Sequence, residues 1–204
     1  MEKVKIIPFW SWFRATGLGV ILGIIATTFL FGLSKEANVT VREYSIVGFG
    51  IGIGYMQYRV LRKIHGVGKL WIWQSTFGVL TACWLVDIVR YIFNLELGAE
   101  SNVVVAKILM SSLCLGAAQA LQLRKMRYKD WYIYFISNVA PFALLFVIMV
   151  FIALQTGYLQ FRYLLGPISA ITFLVAYPMF NAIALKYIQE KTFTDIDANS
   201  EIEE

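Results

Sequence analysis

Histidine is nearly missing from this chain: a single one, His65, stands among 204 residues. That excludes bis-histidine haem ligation and any histidine-rich zinc site, so no metal site is expected. Cysteine is scarce as well. Cys83 and Cys114 both lie in apolar runs, where free cysteines behave as small hydrophobes and carry no information about redox compartment. Charge is the third shortage. Only 15% of residues are Asp, Glu, Lys or Arg, against about 25% in an ordinary soluble domain. No Walker lysine loop, Gly-x-Ser-x-Gly elbow or His-Glu-x-x-His helix occurs. No catalytic residue and no cofactor is therefore expected, and nothing points to an enzyme.

What fills the space is apolar. The hydrophobic fraction is 59%, where about 45–50% is usual. In water such a chain would expose large apolar patches and aggregate; lipid is its natural solvent. Six stretches have the length and composition of spanning helices, at residues 9–33, 41–61, 70–95, 103–123, 131–155 and 163–188. They are too long and continuous for buried strands. No small-residue cleavage pattern follows the first, so it reads as a retained helix rather than a signal peptide. Of the 18 basic residues, only Lys35, Arg42, Arg90, Lys107 and Arg162 fall on one side of this arrangement. The remaining majority, at the N-terminus, the second-to-third and fourth-to-fifth connections and the C-terminus, place both termini in the cytoplasm. The basic loops, interleaved with Tyr58, Tyr128 and Trp131, suit membrane lipids better than nucleic acid.

A repeat runs through the spans. Gly54, Gln57, Leu61 and Arg62 return as Gly116, Gln119, Leu123 and Arg124, and again, eroded, as Pro178, Asn181, Leu185 and Lys186. In the odd-numbered helices Trp10, Trp12 and Gly17 recur as Trp71, Trp73 and Gly78, and Ser137 stands at the place of Ser75. The unit is a two-helix hairpin, which keeps its orientation from copy to copy. The expected fold is an all-α integral membrane domain over residues 1–191. It holds three hairpins, at 9–61, 70–123 and 131–188, in pseudo-threefold order about the membrane normal. Residues 192–204 carry five acidic and no basic residues and are expected to form a disordered cytoplasmic tail.

Three groups of residues stand out. Gly48, Gly50, Gly52 and Gly54 form two interleaved small-xxx-small pairs on opposite faces of helix two, and with Gly116 they predict close helix packing. Gln57, Gln119 and Asn181 lie one turn before each basic exit and are expected at one depth. They form either a ring able to bind a polar solute or interhelical glue, and glue is the commoner use. Asp87 and Arg90, at i, i+3, form an intramembrane ion pair late in helix three.

The recurring Gly-x-x-Gln-x-x-x-Leu-Arg/Lys, with tryptophans at the hairpin entrances, resembles a loose group of uncharacterised bacterial six-helix membrane proteins. The resemblance covers residues 10–188 and implies a six-helix fold and no activity. Pro178 and Asn181 depart from the pattern. The expected function is a non-enzymatic packing or interaction subunit of a larger membrane assembly, with other membrane subunits or further copies of itself as partners. Its membrane would be a bacterial inner or thylakoid-type membrane. The rival reading is a small-solute or ion transporter or channel that uses the ring of amides. Where the amide side chains point separates the two.

Overall fold

A computed structural model describes residues 6–34, 44–65, 67–94, 100–145, 147–148, 151, 168 and 171–200. Every regular element among them is helical. α1 is Phe9–Leu33, and α2 is Val47–His65, entered through a 3-10 turn at Tyr44–Ile46. α3 is Leu70–Phe93, α4 is Glu100–Lys125 and α5 is Trp131–Leu145. α6 is Tyr177–Ser200, entered through a π-helical turn at Thr172–Ala176. α1 starts behind Pro8, whose carbonyl accepts the Ser11 and Trp12 N–H groups. At roughly 1.5 Å per residue its 25 residues reach about 37 Å, enough to cross a hydrocarbon core of about 30 Å. α3 ends at Asn94 in a left-handed conformation (φ 46°), which returns its N–H to the Arg90 carbonyl. Arg127 (φ 62°) and Asp130 (φ 53°) turn the chain between α4 and α5.

Three stretches, Phe9–Leu33, Leu70–Phe93 and Ala106–Lys125, are long and apolar enough to cross a membrane. α2 is not, because Arg59, Arg62 and Lys63 crowd its second half. Parts of the expected spans, 41–43, 95, 152–155 and 163–167, lie outside the described residues. The exterior is strongly apolar, and several polar side chains lie buried among an otherwise apolar core. Thr16, Gln57, Ser75, Gln119, Asn138 and Asn181 are buried. Ile21, Ile25, Phe29, Phe77, Trp84 and Ile88 are exposed. An apolar solvent favours that distribution and water opposes it.

Small residues let the helices touch. A Cβ added at Gly52 would collide with the backbone N of Gly23, and one at Gly48 with that of Thr27, so this face of α2 lies hard against α1. A Cβ at Gly50 would stand 2.7 Å from the Ser75 carbonyl, and one at Gly54 2.8 Å from Ser75 Cβ, so the other face meets α3. Gly78 brings α3 onto Leu115 of α4, and Gly116 brings α4 onto Asn138 of α5. Pro178 of α6 lies beside Gly17 of α1, 3.8 Å from where a Cβ would stand. Neighbour to neighbour, these contacts run from α1 through α5 and from α6 back to α1.

Two expectations need correction. The segment from Thr192, expected to be disordered, is helical as far as Ser200. No proline or glycine interrupts it, and its root is fastened: Thr192 Oγ1 donates to the Ile188 carbonyl and accepts the Lys129 N–H. The register of the odd helices also differs. Burial pairs Trp12 (1% exposed) with Trp71 (0%), while Trp10 (63%) and Trp73 (58%) face outward. Asn138 of α5, rather than Ser137, meets Gly116 as Ser75 of α3 meets Gly54. Tryptophan spacing alone cannot fix register when two tryptophans stand two residues apart on each helix.

Candidate functional site

Gln57 sits on the face of α2 between its glycine-packed flanks, fully buried. Its Nε2 donates to Thr16 Oγ1 of α1 at 3.1 Å and makes a longer contact, 3.4 Å, to the Tyr134 hydroxyl of α5. Its Oε1 accepts from Trp71 Nε1 of α3 at 3.2 Å and from Gln119 Nε2 of α4 at 2.8 Å. Gln119 also donates to Ser75 Oγ of α3 at 2.9 Å. One amide therefore joins five helices. Trp12 packs edge-on against both Trp71 (6.2 Å) and Tyr134 (6.3 Å) around it.

Asn181, the third expected amide, is equally buried but does not join this set. Its Nδ2 donates to the Tyr177 carbonyl one turn back on its own helix. The corresponding link on that side is made by Asn138, which accepts the Tyr177 hydroxyl at 2.8 Å. Gln119 Oε1 and Asn181 Oδ1 are buried and accept no hydrogen bond among the described residues.

The network is closed on both sides. One turn toward the basic exits lie Leu61, Leu123 and Leu185, all essentially inaccessible. One turn the other way lie Val20, Ile53, Val79, Leu115, Phe142 and Tyr177, one from each helix. With Ser111 and Ser112 among others, these six line a partly open cavity of about 40 Å³ whose accessible wall is almost wholly apolar.

Beyond this apolar layer lies a second polar cluster. Asp87 of α3 and Arg90 are 3.8 Å apart, a loose pair. The closer partner is Lys107 of α4, fully buried, with Nζ 2.9 Å from Asp87 Oδ1 and 3.2 Å from Oδ2. The same ammonium lies 4.6 Å over the Tyr44 ring, and the Tyr44 hydroxyl donates to Asp87 Oδ2 at 2.6 Å. Charge placement along the chain puts Lys107 only among the outer-side charges. The signal that finds it is hairpin symmetry: Asp87 lies six residues before the end of α3 and Lys107 seven after the start of α4, so antiparallel packing sets them at one height. On α3, Val79 of the apolar layer stands one turn from Ser75 and two turns from Asp87, which separates the two clusters.

No group of His, Cys, Asp and Glu suited to a metal occurs among the described residues. Comparison of the chain with protein-family models, with curated proteins and with solved structures finds no match.

Proposed function

We propose that the chain is a six-span membrane protein of three hairpins in pseudo-threefold order, acting as a non-enzymatic packing subunit of a larger membrane assembly. The resemblance to six-helix bacterial membrane proteins carries the same implication for the fold. The repeat draws support from burial at equivalent positions: Leu61, Leu123 and Leu185; Gln57, Gln119 and Asn181; Ile53, Leu115 and Tyr177. Positive-inside bias favours cytoplasmic termini.

The observation that carries the functional reading is the sealed amide layer. Gln57 and Gln119 bond each other directly and are capped above and below by apolar side chains from several helices. A solute path needs polar groups left available along a continuous opening; here both ends of the Gln57 amide and the Gln119 amino group are used in joining helices. What such a bundle presents for interaction is its outer surface, toward lipid and neighbouring subunits or copies. Native purification with cross-linking tests this, since a packing subunit is recovered with stoichiometric protein partners and a solitary monomer overturns the reading.

One observation favours the transporter reading: fully buried Lys107 pairs with partly exposed Asp87, and ionisable groups inside a membrane bundle mark ion and proton paths in many carriers. Reconstituted flux decides between the two. A specific flux that disappears in the Gln57→Leu, Gln119→Leu double variant, with melting unchanged, moves the assignment to transport.

A further inference from the structure

We infer that the trench between α3 and α4 on the outer face of the bundle binds an anionic phospholipid, its phosphate on Arg124 and Lys125 and an acyl chain along the small residues above them. The trench encloses about 740 Å³, within the range of about 300–1,000 Å³ typical of ligand clefts. Its floor and walls are built from Gly78, Thr81, Ala117 and Ala118. Gly19 and Gly23 hold α1 tightly on α2, but in the second hairpin Gly78 alone brings the backbones together, against Cys114 and Leu115. Toward the basic end, Ala117 and Ala118 are too short to fill the groove.

Length and charge select the occupant. From Cys114 to Lys125 the trench follows α4 for 11 residues, about 16 Å, which matches one leaflet of a hydrocarbon core about 30 Å thick. A transmembrane partner helix would need a seat running the depth of both leaflets. Two cations close one end, and no carboxylate lines the trench among the described residues. Arg124 is held in place by the Trp131 ring, 5.5 Å from its Cζ, and Trp131 belongs at the headgroup level where tryptophan is enriched. Gln74, half-buried, also lines the trench wall. The site rests on the membrane-spanning reading but is independent of whether the protein packs or transports.

The test measures melting, and phospholipid retained through purification, in nanodiscs of phosphatidylcholine alone or an equimolar mixture with phosphatidylglycerol. The native chain should melt higher in the mixture and retain phosphatidylglycerol preferentially. At about one factor of five per basic residue, Arg124→Gln with Lys125→Gln should weaken that preference by roughly twenty-five-fold. Arg124→Lys with Lys125→Arg should restore it. Ala118→Phe fills the trench without touching the charges and should also abolish the preference while melting normally in phosphatidylcholine. Equal preference in the double glutamine variant overturns the proposal. So does a preference that survives Ala118→Phe, which would mean headgroup attraction without a seat. Loss of a protein partner rather than of lipid in Ala118→Phe would assign the trench to a partner helix, and likewise overturns it.

Discussion

Lys191 Nζ lies 2.6 Å from Asp130 Oδ2, tying the far part of α6 to the turn that opens α5. The hydrogen bond from Lys191 holds the Asp130 carboxyl below the usual carboxylate range, and the same bond pushes the Lys191 ammonium up. The Asp130 contribution to stability is complete above the ordinary value near 3.9 and is lost as pH falls through the lower folded value. The Lys191 contribution is complete below about 10.4 and is lost as pH rises through its raised folded value. Solvent screening keeps both small. Asp130→Asn should flatten the acid limb of a pH–melting curve and speed proteolysis near the end of α6. An acid limb identical to that of the native chain would show that the pair anchors nothing.

Backbone contact makes the α2 glycines intolerant even of a methyl group. Gly52→Ala and Gly50→Ala should each destabilise by about 1–3 kcal/mol, since backbone rather than a pliable side chain stands in the way. Gly32→Ala, where nothing lies within 4 Å, is the control and should be neutral. Thermal melting in detergent reads all three; equal effects at Gly32 and Gly52 would contradict the packing.

The amides should not be equivalent. Gln57 meets partners on four other helices and Asn181 only its own helix. Interhelical hydrogen bonds in membranes average about 0.6 kcal/mol and reach about 1.7. Gln57→Leu should therefore cost about 2 kcal/mol, because several bonds go at once, and Asn181→Leu well under half of that. Gln57→Leu and Gln119→Leu together should cost less than their sum, a coupling that a double-mutant cycle measures directly.

Removing one member of the outer ion pair should harm more than removing both. Lys107→Met leaves Asp87 with the Tyr44 hydroxyl and its loose Arg90 contact and should cost up to about 3 kcal/mol, the lower end for a broken buried pair because Asp87 is partly exposed. Adding Asp87→Asn should recover part of it. Denaturation of the single and double variants tests the ranking, and a double variant worse than either single would refute it.

Much of this organisation is legible in sequence because lipid enforces it. The first apolar run coincides with α1, Phe9–Leu33, since a chain in hydrocarbon has no other way to satisfy its backbone. Four glycines spaced by two encode two faces, and the faces meet α1 and α3. Lys107 was hidden, because window hydropathy treats a lone lysine as a boundary whereas its partner lies on the neighbouring helix. Thr16, Ser75 and Tyr134 were also obscure as glutamine partners: their distances along the chain reflect azimuth and register, which composition does not encode. The π-helical turn before Pro178 carries no periodic signal; it appears where a proline in a helix leaves the preceding turn to rearrange.

The reach of Gln57 sets an order on synthesis. Its Thr16 partner lies 41 residues upstream, so the first hairpin can satisfy the Gln57 Nε2 but leaves its Oε1 waiting for Trp71 and Gln119. Gln119 and Tyr134 follow 62 and 77 residues later. Until α5 has packed against the preceding helices, the nascent bundle holds an unfinished polar seam, and Tyr134 is the last of the Gln57 partners to arrive.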